Sequence, residues 1–160
     1  MGSLVLLRLA GKLLTRSYSL SSAPESDREH KVTVKRVEDG RVSNWLNDRV
    51  RPGDSLLVTP PAGLFVLNDK RRRVVFFAGG SGITPVISLV KSALATTDRS
   101  LSLVYANRDE RSIIFLREIE ALCERHPDRL RVTHSLDDRD GLLDVDRVKH
   151  LVVDALEADF

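Results

Sequence analysis

A single cysteine, Cys123, serves the whole 160-residue chain. One thiol cannot close an internal disulfide, complete a cysteine-based zinc site or hold an iron–sulfur cluster unaided. An excess of one charge is missing too: 25 Lys+Arg stand against 23 Asp+Glu, a net +2. Nucleic-acid-binding domains concentrate basic charge on one face, so this balance argues against a nucleic-acid partner. No apolar run approaches the roughly 18 residues that a membrane span needs, so no membrane partner is expected, and the expected location is cytoplasmic. His30, His126, His134 and His150 lack metal-ligand spacing, and no nucleophile elbow is present. Neither a metal site nor a Ser/His/Asp hydrolase site is expected. What remains, 42% hydrophobic and 30% charged residues, suits a soluble globular fold.

Two textures divide the chain. The first 24 residues carry Arg8, Lys12 and Arg16 and no acid, which imitates a targeting peptide. The apolar stretch 4–7 is too short for a signal core, and Arg8 interrupts it. The reading adopted is a strand over 4–9, a turn at Ala10-Gly11-Lys12 and a second strand from Leu13. Residues 31–37 alternate polar and apolar side chains, which predicts a half-buried strand. A turn at Glu38-Asp39-Gly40 leads to a short helix with Ser43 as its N-cap. A strand over 55–59 stops at Pro60-Pro61. Short strands between Gly/Pro turns indicate a barrel or sandwich.

From residue 74 the period changes. Residues 74–78 are continuously apolar, as in a parallel strand covered on both faces. A helix over 85–95, a strand over 101–106, a helix over 112–125 and a strand over 130–136 follow. Phe115, Ile119 and Leu122 form the stripe of the second helix. Val145, Val148, Leu151, Val152 and Ala155 form that of a third, and Asp159-Phe160 opens a fourth strand. The β-α-β-α-β-α order implies a parallel sheet with right-handed crossovers. Lys70-Arg71-Arg72-Arg73 reads as a solvated linker or strand cap. Cys123, beside Ile119 and Leu122, reads as a small buried hydrophobe.

Three segments carry chemistry. Ala78-Gly79-Gly80-Ser81-Gly82-Ile83-Thr84-Pro85 follows a buried strand and opens a helix. Thr84 fits the N-cap and Pro85 the first helical position. Glycines admit close backbone approach, and the helix start favours a phosphate or diphosphate. The spacing Gly80-x-Gly82-x-x-Pro85 departs from the usual dinucleotide fingerprint, and no Walker lysine is present. Tyr105-Ala106-Asn107-Arg108-Asp109 ends the next strand on the same rim. An acid there favours a ribose 2′-OH and an arginine a 2′-phosphate; both are present, so the choice stays open. In Arg16-Ser17-Tyr18-Ser19, Arg16 and Tyr18 point to one side of a strand. The cation suits a phosphate and the ring suits stacking on a planar group.

In this order, and with Gly40-Arg41-Val42-Ser43-Asn44-Trp45-Leu46 between them, the segments resemble the ferredoxin–NADP reductase-like superfamily. Within it the chain is most similar to the reductase components of multicomponent oxygenases, of the ketosteroid 9α-hydroxylase and phenylacetyl-CoA epoxidase type. The resemblance implies a β-barrel flavin domain over residues 1–70, then an α/β parallel-sheet nucleotide-binding domain over 74–160, each partial. It implies FAD and either NADH or NADPH as cofactors. By this likeness Arg16 holds the FAD diphosphate, Tyr18 packs on the isoalloxazine, and Ser19 lies near its reactive nitrogen. Tyr18 and Ser19 are thus the catalytic candidates. Val34 and Lys35 border the flavin, and Val42, Ser43 and Asn44 bind the diphosphate at a helix start. Gly80, Gly82, Ile83, Thr84 and Pro85 receive the nicotinamide nucleotide, and Asn107 and Arg108 meet its adenosine ribose. The implied partner is a ferredoxin-type or oxygenase protein, which would supply the iron–sulfur cluster if a further domain does not. A flavohaemoglobin or cytochrome-b5-reductase-like reductase is the alternative enzyme, and a non-catalytic nucleotide-binding fragment the alternative class. Only 15 residues precede Arg16, and the family's Cys-Gly-Pro strand is not reached, so the chain is expected to be truncated at both ends.

Overall fold

The structure, a computed structural model, describes residues 2–9, 12–68, 72–151 and 158, with side chains from residue 13 onward. β1 (Gly2–Leu9) and β2 (Lys12–Ser19) run antiparallel, with Val5 opposite Arg16. β3 (Leu57–Val58) pairs with the other edge of β1, giving the order β2-β1-β3. The strand expected over 55–59 shrinks to these two residues. Ala10 and Gly11 of the expected turn lie outside the described residues.

The strand expected over 31–37 is absent. Among the described residues a single bridge, Leu20 to Val32, is its only ladder contact. Its backbone is satisfied instead by side chains of α1 (Arg41–Arg49). The Val37 N–H donates to Ser43 Oγ, Asn44 Nδ2 donates to the Val37 carbonyl, and Asn47 Nδ2 donates to the Val34 carbonyl. Side chains of the helix thus reach the Val34 and Val37 backbone where a neighbouring strand was expected. α1 also starts earlier than expected, capped by Gly40 rather than Ser43. Ser43 sits in its first turn and donates to the Gly40 carbonyl at 3.3 Å.

The second half holds a parallel sheet with β5 (Leu101–Asn107) between β4 (Val74–Gly79) and β6 (Leu130–Leu136). Val74, Leu101 and Leu130 stand in register. α2 (Ile83–Thr96) and α3 (Leu116–Arg125) cover one face, and Phe76, Ile87, Leu103, Tyr105 and Ile119 share that core. Cys123 packs against this core as a half-buried thiol. Burial, helped by Glu120, pushes its pKa up, so it stays protonated. On the other face Val75 and Val104 are buried but Phe77 is 37% exposed, so β4 is not covered on both faces along its whole length.

A 3-10 turn, Gly80–Gly82, leads into α2, whose N-cap is Gly82. Thr84 and Pro85 are therefore the second and third helical residues, not the cap and the first. Proline is accepted there because first-turn N–H groups have no partner within the helix. Phe115, left-handed at φ 63°, separates α3 from a 3-10 turn at Glu110–Ser112, which shortens the helix expected from 112. α4 (Asp137–Asp140) is one turn that the apolar pattern did not signal. In α5 (Val145–Leu151) the expected apolar stripe stays largely in solvent: Val145 is 70% and Leu151 39% exposed. Val152, Ala155, Asp159 and Phe160 lie outside the described residues, as do Lys70 and Arg71. Of the basic run, Arg73 donates to Ser102 Oγ, near the start of the central strand β5, at 2.6 Å.

Candidate functional site

A cleft of about 680 Å³ opens between the two halves. One wall is the end of β2 (Arg16, Tyr18, Ser19), the segment bearing Lys35, and the start of α1 (Val42, Ser43). The other wall is the turn into α2: Ser81, Gly82, Thr84 and Pro85. Sequence positions separated by more than 60 residues thus face one space.

The first wall is cationic and half apolar. Arg16 is exposed, its Nη1 donating to the neighbouring Thr15 carbonyl at 2.8 Å. Tyr18 packs with Val42 and Leu46 while keeping part of its ring toward the cleft. Burial raises the Tyr18 pKa and the Arg16 charge opposes that rise only in part, so its hydroxyl is neutral at physiological pH. No side chain caps α1, so the positive end of the helix is offered to the cleft at Val42 and Ser43. Val34 turns instead into the small core with Val42, and Asn44 spends its amide on the Val37 carbonyl. Neither side chain lines the cleft.

The second wall is a glycine turn and the first residues of α2. A Cβ added at Gly82 would meet no atom within 4 Å. Gly80 adopts φ +48°, a conformation side chains disfavour, and its carbonyl accepts a 3.0 Å hydrogen bond from the Tyr105 hydroxyl. The Lys35 ammonium reaches across to within 3.5 Å of where a Gly80 Cβ would stand. Ile83 is fully buried and serves the core. Gly80, Ile83, Asn107 and Arg108 do not line the cleft.

Asn107 ends β5 with 5% of its surface exposed, and its amide, beside the Tyr105 hydroxyl, makes no well-formed hydrogen bond to any described residue. Such a group is costly unless a ligand or water completes it. Arg108 is exposed. Asp109 is spent in a capping box, accepting the Ser112 N–H at 2.8 Å and donating its own N–H to Ser112 Oγ at 3.2 Å. His134 lies 5.9 Å from the Tyr105 ring, and burial lowers its pKa. Thr33, Asp39, Arg41 and Ser81 also line the cleft; Arg41 and Ser81 lie inside the motifs read from the sequence, but none of the four was expected as a site residue. Among the described residues no three His, Cys, Asp or Glu side chains form a metal-binding group, and no helix is long and apolar enough to cross a membrane.

Open backbone over Gly82, an uncapped helix start and the cations Arg16, Lys35 and Arg41 fit anionic dinucleotides in this cleft. Together with the two sheets they define a ferredoxin–NADP reductase-like fold, a small β part preceding an α/β part with a parallel sheet. The chain belongs to the oxidoreductase NAD-binding domain family, whose profile matches residues 76–157, and residues 1–67 match the oxidoreductase FAD-binding domain. It is 49% identical over 135 residues to the "3-ketosteroid-9-alpha-monooxygenase, ferredoxin reductase component" of Rhodococcus rhodochrous, covering 84% of this chain and 38% of that protein. It is 38% identical over 138 residues to the glycine betaine monooxygenase reductase subunit of Chromohalobacter salexigens, with 84% and 38% covered. The crystal structure of the cytochrome P450 reductase GcoB of Amycolatopsis superposes with a TM-score of 0.72 at 27% identity, covering 84% of this chain and 42% of that one. The chain thus spans under two fifths of the length of these two monooxygenase reductases.

Proposed function

We propose that this chain is the flavin- and coenzyme-binding part of a reductase that draws a hydride from NADH or NADPH and delivers electrons singly to an iron–sulfur protein or domain serving an oxygenase. A division between a flavin part ending near residue 70 and a coenzyme part beginning at 74 belongs to this proposal, as does a cytoplasmic location. The observation that carries it is the single cleft with a cationic, aromatic wall from one half and a glycine-turn wall from the other. Bound FAD would supply the conversion between two-electron and one-electron chemistry.

The chain's own residues bind and orient. Arg16 and the N–H groups at Val42 and Ser43 hold the FAD diphosphate, Asn44 secures that helix start by giving its own N–H to the Gly40 carbonyl, and Val34 and Lys35 border the flavin. Tyr18 supports the ring, with Ser19 beside its reactive edge. Gly80, Gly82, Thr84 and Pro85 admit the nicotinamide nucleotide, backed by Ile83, and Asn107 and Arg108 reach its adenosine ribose. A charge-assisted phosphate contact contributes about 1.5–3 kcal/mol. Arg16→Ala in the intact protein should therefore weaken FAD about 10- to 150-fold by isothermal titration. Unchanged FAD affinity removes Arg16 from the site. A full-length protein that purifies without flavin and is not reduced by either coenzyme overturns the reading.

A further inference from the structure

Lys91 is a cation buried in the middle of α2, only 8% exposed. Its ammonium lies 2.8 Å from Asp27 Oδ2 and 3.0 Å from Glu118 Oε1. Asp27 belongs to the loop that leaves β2, and Glu118 to α3. One ammonium therefore ties three segments together. Asp27 Oδ2 also accepts the N–H of Ala23 at 2.7 Å, which closes the loop upon itself around a fully buried Ala23.

Two further bonds follow the same line. Ser88 Oγ donates to the Ser22 carbonyl at 2.7 Å, and Ser92 Oγ donates to Glu25 Oε2 at 2.5 Å. Ser88, Lys91 and Ser92 share one face of α2 by their spacing of three and four. The loop is anchored on its other side as well. Ser21 and Thr33 share a 2.9 Å hydroxyl hydrogen bond, and the Lys31 N–H donates to Ser22 Oγ at 2.9 Å. Thr33 lines the cleft.

The loop begins directly after Tyr18 and Ser19. The helix it grips begins directly after Ser81 and Gly82. This seam thus fastens the rear of both elements whose front ends are the two walls of the cleft. A buried ion group is a poor way to gain stability, because desolvation offsets most of the attraction. An apolar residue of similar length would fill the same helix position. What the ammonium adds is direction, since it is satisfied in only one relative placement of loop, α2 and α3.

We propose that Lys91, acting through Asp27, is a positioning residue that sets the spacing between the flavin-side wall and the coenzyme-side wall. This rests on the function proposed above, although Lys91 touches neither nucleotide. Misplacing reacting atoms by about 1 Å can cost roughly 100-fold in rate. In the full-length protein, Lys91→Met should slow reduction of bound FAD at saturating NADH by about 10- to 100-fold. FAD and NAD⁺ affinities should stay within roughly twofold, since no contact to either ligand is removed. Asp27→Asn should show the same signature, the double variant should be no slower than the slower single, and Lys91→Arg should recover part of the rate.

A second measurement needs no activity. In a Cys123→Ser background, spin labels at Arg49→Cys on α1 and Ala95→Cys on α2 report the separation of the two halves by pulsed electron paramagnetic resonance. The proposal expects Lys91→Met or Asp27→Asn to shift or broaden that distance. An unchanged distance overturns it, as does an unchanged reduction rate. A rate loss matched by equal losses of FAD content and thermal stability, with no recovery in Lys91→Arg, reduces the seam to a fold-stabilising contact and also overturns it. A wild type that NADH cannot reduce would instead defeat the functional reading and leave the distance measurement to decide the seam. If Lys91→Met fails to fold, the near-isosteric Asp27→Asn carries the test.

Discussion

Gly40 has no room for a methyl group. A Cβ there would stand 2.4 Å from Ser43 Oγ and 2.9 Å from the Val37 carbonyl oxygen. Its φ of −71° is ordinary, so the constraint is space and not conformation. Gly40→Ala must push back the start of α1, at about 1–3 kcal/mol for overpacking of this kind. Urea unfolding of the intact protein should show that loss, together with weaker FAD retention because Val42 and Ser43 shift with the helix. A variant with unchanged stability and flavin content would contradict the close packing. At the rim of β5 the balance of charge is decided by what Asp109 already does. With Asp109 Oδ1 taken by the Ser112 N–H, Arg108 is the residue proposed above to meet the adenosine ribose, and the one expected to read its 2′ substituent. Both coenzymes should be accepted, and Arg108→Ala should lower kcat/KM for NADPH at least about tenfold more than for NADH. Equal losses would take Arg108 out of coenzyme selection.

Elements are positioned by single hydrogen bonds as well as by packing. Tyr105 is fully buried in β5, donates to the Gly80 carbonyl and accepts the Ile114 N–H at 3.2 Å. It therefore holds the glycine turn against the approach to α3. Tyr105→Phe removes a contact worth about 0.5–1.5 kcal/mol. Coenzyme affinity should fall about 2- to 10-fold by titration while FAD affinity stays the same, and an equal loss for both would refute this role. Acid should loosen the seam at Asp27. Burial opposes its ionisation, but the Lys91 hydrogen bond and the Ala23 N–H prevail, so its folded pKa lies below the ordinary value. Such a group stabilises fully above its unfolded pKa of about 4 and stops doing so as pH falls through the folded value. Wild type should thus outlast Asp27→Asn at neutral pH in thermal melts, and the gap should close below about pH 4. A gap that persists in acid would show that the Asp27 charge is not what stabilises the loop. The parallel strands were legible because apolar runs bounded by turns admit few alternatives: β6 begins and ends where its pattern does, and β4 and β5 differ by one residue. The strand expected at 31–37 failed because period-two patterning specifies a face and not a partner, and α1 side chains had taken the partner's place. Arg16, Tyr18 and the glycine turn were readable as contiguous motifs. Lys35 over Gly80, the Tyr105 hydroxyl and the Asp27–Lys91–Glu118 group were not, because each exists only after distant segments meet.

At the scale of the molecule, apolar surface is distributed unevenly. The α/β half encloses its core between sheet and helices. The other half has a small core around Val42 and Leu46 and leaves Leu57 70%, Leu64 98%, Phe65 54% and Val66 56% exposed. β3 offers only two paired residues to β1, so the adjoining edge of that sheet is largely open. Contiguous exposed apolar side chains beside an open strand edge are a template for association. Residues 1–160 produced by themselves should therefore self-associate, with the apparent mass in sedimentation velocity rising with concentration. Leu64→Glu with Phe65→Lys should lower that tendency without changing the helical signal in circular dichroism, because neither side chain contributes to a described core. The α/β half should contribute the more cooperative part of unfolding in hydrogen exchange, with β5 amides the slowest, since β5 is paired on both edges. A monodisperse monomer at every concentration would mean that the exposed residues between 57 and 66 are covered in solution. The patch would then be part of the fold and not a surface available to another chain.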